Sequence, residues 1–339
     1  MREFTINAND AGQRLDKFVL KAVKGIPVSL MYKAIRTKKI KVNRKRAQEK
    51  QVLCLGDTVQ MFLSEELFFD KITDNELLTV NADLNIVYED EKILICDKAP
   101  GVLVHSGDGD GKVSGDGSCK DRNTLIYRIQ AYLAQKGEYK PSEENSFAPA
   151  LCNRIDRNTG GMVISAKTAP ALRDINERIK NNEITKLYLC AVHGNLPKKC
   201  DTLTDFLIKD SKNNTVKVLK RQISGAKEII TKYKLLEYNK EKDISLVEIE
   251  LITGRTHQIR AHMASIGNPL LGDGKYGKIN ADKRLGYKHQ ALYSYKLSFS
   301  SKDDEISHLN SRVLAVKPSS IYFLREFSSS AIKKLFENN

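Results

Sequence analysis

The second half of the chain is rich in segments with the two-residue period of a β-strand, in which successive side chains face opposite sides. Residues 228–253 predict a hairpin that turns near residues 239–243. Residues 185–194 (TKLYLCAVHG) predict a strand whose two sides carry Tyr188, Cys190 and Val192 against Leu187, Leu189 and Ala191. Helical segments lie between the strands without a regular β-α-β repeat, and this order favours an α+β fold with a mixed or antiparallel sheet.

Positive charge is concentrated near the beginning of the chain. The 339 residues carry a formal net charge of +14. Residues 1–50 hold 14 Lys and Arg against 4 Asp and Glu, a net charge of +10, whereas the other 289 residues carry a net charge of +4. This asymmetry favours a polyanionic partner, with nucleic acid as the leading candidate. The alternative is a solvated, lysine-rich surface.

Residues 12–62 predict a small unit of two helices and a hairpin. Apolar residues recur at helical spacing from Leu15 to Ala22, and residues 25–27 (GIP) then break the chain. Ser29 is the predicted N-cap of a second helix, whose apolar face carries Leu30, Ala34 and Ile35.

Basic side chains crowd around this second helix and the turn after it. They are Lys33, Arg36, Lys38, Lys39, Lys41, Arg44, Lys45 and Arg46. Such a cluster predicts contacts to phosphate groups, which supply affinity and registry more than sequence choice.

The chain lacks the sequence signals of a membrane, secreted or metal-dependent protein. No apolar run approaches the ~18 residues that span a bilayer, and the N-terminus lacks the apolar core of a signal peptide. The six cysteines form no CxxC pair, which is typical of reduced thiols in the cytoplasm. The glycine-rich residues 107–121 match neither a phosphate loop nor a calcium loop, and we expect a surface loop there. A cytoplasmic protein is therefore expected, and a monomer is the default. No metal or cofactor is expected.

One carboxylate, Asp156, lies between Arg154 and Arg157 in residues 152–166 (CNRIDRNTGGMVISA). Two interpretations are open at this point. Asp156 is half of a structural ion pair, or it is held ionised for chemistry on a ligand of the basic chain.

Four segments together resemble the RluA-type pseudouridine synthases. In chain order they are EDEKILICDKAPGVLVH, NRIDRNTGG, KLYLCAVHG and TGRTHQIRAHMASIGNPLLGDGKYG. The resemblance extends over about residues 12–325 and includes large-subunit rRNA enzymes with a front RNA-binding domain of the ribosomal protein S-four type. It implies a small α/β RNA-binding domain at residues 1–63 (the head), a linker at residues 64–83, and an α+β catalytic domain at residues 84–339 (the body).

The resemblance also implies roles for individual residues. The catalytic aspartate of the family corresponds to Asp156, its active-site tyrosine to Tyr188, and the arginine paired with the aspartate to Arg255. Arg154 is expected to help open the RNA helix. Further RNA contacts are expected from Thr159, Gln258, Arg260, Lys33, Arg36, Lys39 and Arg44.

Two residues depart from the family pattern. Asn153 replaces the usual histidine, and it can form hydrogen bonds but cannot titrate. Gly160 replaces the usual serine, and we expect it to loosen the turn without removing a catalytic group. Thr253 is the predicted cap of the helix that follows, on which His257 and His262 do not share a face as metal ligands would. We expect these histidines to be structural or to face RNA.

The implied reaction breaks the glycosidic bond of a uridine, rotates the base and rejoins it through carbon 5. Asp156 would attack the sugar or the base, or remove the ribose 2′ proton, and the sequence leaves these alternatives open. Tyr188 would stack on a uridine flipped out of the RNA, while Arg154 fills the gap. The expected substrate is structured RNA, foremost large-subunit rRNA or a ribosome precursor. The alternatives are a tRNA-directed synthase and a non-catalytic RNA-binding or ribosome-assembly protein.

Overall fold

A computed structural model of the protein describes residues 1–68, 73–105, 123–210, 213–277 and 279–337. The glycine-rich segment 107–121, for which we expect a surface loop, lies outside these residues.

The head contains two helices and a four-stranded antiparallel sheet. The helices are α1 (Leu15–Ala22) and α2 (Val28–Arg36). The strands are β1 (Arg2–Thr5), β2 (Ile40–Val42), β3 (Lys45–Arg46) and β4 (Thr58–Met61), in the order β1-β4-β2-β3.

The start of α2 differs from the prediction by two residues. Pro27, with φ −62° and ψ 142°, is the N-cap, and the helix begins at Val28 rather than after Ser29. The proline ring pre-sets φ and its missing N–H needs no partner at a helix start. Met31 is consequently buried beside Ala34 and Ile35, whereas Leu30 is exposed.

The body is built on one mixed sheet. Its strands are β5 (Ile86–Glu89), β6 (Ile93–Lys98), β7 (Ala150–Leu151), β8 (Gly160–Ala166), β9 (Ile184–His193), β10 (Cys200–Asp210), β11 (Thr215–Leu219), β12 (Lys227–Asn239), β13 (Ile244–Leu251), β14 (Leu292–Phe299) and β15 (Val313–Ala315). They run in the order β11-β10-β12-β13-β9-β14-β8-β6-β5, with β15 beside β14 and β7 beside β8. The β14–β8 pair is parallel, and the other described pairs are antiparallel. The predicted α+β fold is confirmed.

Helices cover both faces of this sheet. They are α3 (Asp74–Leu78), α4 (Leu125–Gln135), α5 (Ala169–Lys180), α6 (Gln258–Ser265), α7 (Ile279–Arg284) and α8 (Ser329–Phe336). Residues of α3, α4 and α6 join one apolar core, which also takes Tyr188, Cys190 and Val192 from β9. Residues of α5 and α8 join the other core with Leu189 and Ala191. The predicted division of β9 into two faces is confirmed. None of the helices in the described ranges is long and apolar enough to cross a membrane.

The predicted linker contains an ordered helix. Helix α3 starts at a capping box, in which the Thr73 hydroxyl accepts from the N–H of Glu76 and the Glu76 carboxylate accepts from the N–H of Thr73. Leu77 is fully buried against the body. This short segment lacks the periodicity of a longer helix, but its cap and one buried leucine hold it in place.

Hydrogen bonds join the head to the body in what we call the docking network. Asn9 donates to the Glu144 carboxylate at 2.6 Å. The Asp10 carboxylate, which is fully buried, accepts from the Asn145 amide at 2.7 Å and from the Ser146 hydroxyl. Because buried polar groups lose water, these satisfied bonds hold the two parts in one arrangement.

Candidate active site

Asp156 lies in the turn that leads from β7 into β8. Its backbone carbonyl accepts the N–H of Thr159 at 3.0 Å, which closes the turn just before β8 begins. The Asp156 side chain keeps 26% of its surface exposed, and its Oδ2 accepts from Arg260 Nη1 at 2.8 Å. A carboxylate that is both held by a guanidinium and open to solvent can reach a ligand in a fixed orientation.

A second carboxylate fixes the arginine. Asp273 Oδ2 accepts from Arg260 Nε at 2.7 Å and Asp273 Oδ1 accepts from Nη2 at 2.8 Å, in a two-pronged pair. Asp273 is fully buried and also accepts from the N–H groups of Lys275 and Tyr276. Burial alone would raise the pKa of Asp273, but these bonds and the charge of Arg260 hold it below its ordinary value. Asp273 therefore stays charged and orients Arg260 toward Asp156.

The assignment of the paired arginine requires correction. We predicted Arg255, but the guanidinium that bonds Asp156 belongs to Arg260, for which we predicted an RNA contact. Helix α6 begins at Gln258, so Arg260 lies in its first turn and is 5% exposed, whereas Arg255 lies in the exposed turn before it. Thr253 is likewise not the helix cap, since its hydroxyl donates to the Gln258 side chain.

Two residues predicted to contact substrate are instead enclosed by protein. Gln258 donates to the Ile230 carbonyl and the Thr231 hydroxyl, and its Oε1 accepts from Thr253. Thr159 is 2% exposed and accepts from Gln290 at 3.0 Å. Both side chains therefore support the turns that carry Asp156 and Arg260, in contrast to the predicted RNA contacts.

Tyr188 projects from β9 into the core that lies beside Asp156. It is 5% exposed, and burial raises its pKa to about 12, to which the nearby Asp156 charge also contributes. The hydroxyl thus stays protonated at neutral pH and can donate a hydrogen bond.

Lys98, at the end of β6, is a site residue that sequence reasoning missed. Lys98 is 2% exposed, and its ammonium donates to the carbonyls of Ala99, Val102 and Arg157 at 2.9–3.1 Å. Burial lowers the pKa of Lys98 to about 7, against the opposing attraction of Asp156. The sequence signal is a lysine at the last position of a largely apolar strand, directly before the residues Ala99-Pro100-Gly101.

The histidine at the N-cap of α6 and the histidine within the helix have different surroundings. His262 is fully buried between Thr231 and Asp205, as expected of a structural residue. His257 lies at the site, with Nε2 3.9 Å from Asp156 Oδ2 and Nδ1 3.0 Å from the Tyr276 hydroxyl.

The two departures from the family pattern have structural explanations. Asn153 clamps β8, since its Oδ1 accepts from the N–H of Ile164 at 2.7 Å and its amide donates to the Met162 carbonyl. Gly160 is the first residue of β8, and a Cβ there would be 2.3 Å from the ring of Tyr293. The expectation that Gly160 loosens the turn is therefore wrong, because the missing side chain allows close packing instead.

The remaining predicted RNA contacts lie at the surface. Arg154 is exposed in the turn before Asp156. The four basic residues of the head are also exposed: Lys33, Arg36, Lys39 and Arg44. Their placement is compatible with phosphate binding.

Sequence and structure comparisons relate the chain to known proteins. The family model for RNA pseudouridylate synthase matches residues 92–265, and that for the S4 domain matches residues 13–59. An uncharacterized RNA pseudouridine synthase of Mycoplasma genitalium is 34% identical over 303 residues, which cover 88% of each chain. The ribosomal large subunit pseudouridine synthase C of Buchnera aphidicola is 34% identical over 275 residues, which cover 80% of this chain and 79% of the relative. The solved structure of human RNA pseudouridylate synthase domain containing 1 covers 76% of this chain and 96% of its own at 19% identity, with a TM-score of 0.54, and shows the same fold.

Proposed function

The chain belongs to the RNA pseudouridylate synthase family, and we propose that this isomerase modifies uridines of large-subunit rRNA in the cytoplasm. Relatives named for the large ribosomal subunit support this substrate, as does the basic head. The same head would also serve a tRNA-directed enzyme, which is the second candidate.

For the division of the chain, we propose an RNA-binding domain at residues 1–63, a linker at residues 64–83 and a catalytic domain at residues 84–339. The compact four-stranded sheet of the head and the separate sheet of the body support these boundaries. Within the head, the exposed Lys33, Arg36, Lys39 and Arg44 would bind phosphate groups, and the enzyme would act as a monomer.

The contact of Asp156 with Arg260 is the observation that carries the catalytic proposal. Among the described residues, Arg260 and His257 both approach Oδ2 of Asp156, which leaves Oδ1 to face the uridine. A carboxylate held this way acts on the ribose or the base without rotating away. Arg255 and Arg154, both exposed nearby, would contact the RNA backbone and the gap left by the flipped base.

Tyr188 and Lys98 would act beside Asp156, whose charge influences the pKa of both. Tyr188, protonated at neutral pH, would offer its ring for stacking and its hydroxyl for a hydrogen bond to the base. Lys98 adds positive charge close to Asp156 while it remains protonated.

The test is site-resolved pseudouridine mapping of total RNA from cells that lack the protein. These cells are complemented with wild type, with Asp156→Asn, or with Asp83→Asn, an exposed control aspartate. We expect specific large-subunit rRNA sites to vanish on deletion and to return with wild type and Asp83→Asn only. Return of those sites with Asp156→Asn would refute the role of Asp156, and loss confined to tRNA would overturn the substrate.

A further inference from the structure

His257 adopts a backbone conformation that is uncommon for a residue with a side chain. Its φ of 54° and ψ of 17° lie in the left-handed region, and it forms the N-cap of α6 without a capping bond from its side chain. An observed outlier of this kind beside a reactive group is a reason to look for function.

The Tyr276 hydroxyl lies within hydrogen-bond distance of the imidazole. Its oxygen accepts from the N–H of Val216 at 2.8 Å, and its own hydrogen can be donated to His257 Nδ1 at 3.0 Å. In a neutral imidazole whose Nδ1 accepts, the ring hydrogen lies on Nε2. The ring of Tyr276 braces this arrangement, since it meets His257 edge to face at 5.7 Å and lies 5.3 Å from the Arg260 guanidinium.

The neutral form of His257 prevails at physiological pH. Burial lowers the pKa of His257 to about 4, and the positive charges of Arg260 and Lys275 act in the same direction. The carboxylates of Asp156 and Asp273 oppose this shift without reversing it. The Tyr276 pKa is raised by burial, so its hydroxyl keeps its hydrogen.

We propose that His257 is a positioning residue for Asp156, whose Oδ2 it faces with Nε2–H while Arg260 holds the same oxygen. The present separation of 3.9 Å exceeds a hydrogen bond, and such contacts often tighten once substrate is bound. Two donors on Oδ2 then keep Oδ1 turned toward the uridine. This inference rests on the proposed function of Asp156.

Two substitutions separate positioning from helix capping. In His257→Gln the amide nitrogen occupies the place of Nε2, whereas in His257→Asn it occupies the place of Nδ1. Asn tolerates the left-handed backbone better than Gln, so a purely structural role favours Asn. A role through Nε2–H favours Gln.

The assay is the single-turnover rate of pseudouridine formation at saturating enzyme. Its substrate is total RNA from cells that lack the protein, which contains the target whether it is rRNA or tRNA. We expect His257→Gln to remain within about threefold of wild type and His257→Asn to fall about tenfold or more, with unchanged RNA affinity. Equal losses, or a better rate for Asn than for Gln, would overturn the proposal.

Tyr276→Phe provides a second measurement if a His257 variant folds poorly. It keeps the ring contacts but removes the hydrogen that directs the His257 tautomer. We expect Tyr276→Phe to lower the single-turnover rate about tenfold in the wild-type background and hardly at all in the His257→Gln background. Equal losses in both backgrounds would refute the proposal that Tyr276 acts through His257. Asp156→Asn is the control for the proposed chemistry in the same assay. If it is inactive while wild type is active, the assay measures the reaction that depends on Asp156, and if it is active, the proposed role of Asp156 is refuted.

Discussion

The chain of charges from Asp273 through Arg260 to Asp156 makes a quantitative prediction. In Asp273→Asn the remaining oxygen stays where two backbone N–H groups donate to it. The new NH₂ group therefore takes the place of the oxygen that accepts from Arg260 Nε, and two donors then face each other. Arg260 and Asp273 are 5% and 0% exposed, so solvent replaces little of the lost interaction. Breaking such a buried pair from one side costs about 3–5 kcal/mol of unfolding free energy.

The pair should behave as a unit in a double-mutant cycle. Arg260→Met leaves Asp273 buried without its counter-charge and is expected to cost a similar ~3–5 kcal/mol. The double variant removes both charges, so its loss should be smaller than the sum of the single losses by about 2 kcal/mol or more. Urea unfolding followed by circular dichroism measures these values, provided that the four proteins share one m-value.

Activity should divide differently from stability. Arg260→Met frees the Asp156 side chain and should lower the single-turnover rate about 10²-fold. The double variant should be no faster than Arg260→Met, although its loss of stability is smaller than the sum of the two single losses. Asp273→Asn keeps the Arg260 contact to Asp156 and should lose less activity. If the stability losses were additive, or if the double variant recovered activity, Asp273 would not act through Arg260.

Two further predictions concern buried residues. Gly160→Ser, which restores the usual family residue, should cost about 1–3 kcal/mol because the new side chain meets the ring of Tyr293, and it should cost less than ~1 kcal/mol in a Tyr293→Leu background. Equal costs in both backgrounds, measured by urea unfolding, would contradict this explanation. The pKa of Lys98 is about 7 in the folded protein, below its value in the unfolded chain. Between pH 7 and about 10 the unfolded chain therefore binds one more proton than the folded protein, and the free energy of unfolding rises with pH. From pH 7 to 9 the free energy of unfolding of the wild type should increase by about 2 kcal/mol relative to that of Lys98→Met. Parallel plots of unfolding free energy against pH for the two proteins would show that Lys98 does not titrate in this range.

Local patterns predicted much of the fold and part of the site. The alternation of β9 determines which side chains enter each core, because successive strand residues face opposite sides. The choice between Arg255 and Arg260 could not be made in the same way, since it depends on where α6 begins. That start is at Gln258, held by contacts to β12 that are remote in sequence.

Lys98 illustrates what a sequence pattern omits. Its burial is tolerated because three carbonyls converge on the ammonium, and one of them belongs to Arg157, 59 residues away. The role of Gly160 was also inaccessible, because it depends on the ring of Tyr293 from a strand that pairs in parallel with β8. Both features arise from tertiary proximity rather than from local propensity.

The docking network has a consequence for how ionic strength acts on this enzyme. Its bonds join amides, a hydroxyl and carboxylates over hydrogen-bond distances, so salt screens them little. Binding of phosphates by exposed lysines and arginines weakens steeply with salt, because counterions are released on association. Salt would therefore detach the RNA before it detaches the head, so that catalytic geometry and RNA affinity respond separately to the same change in the medium.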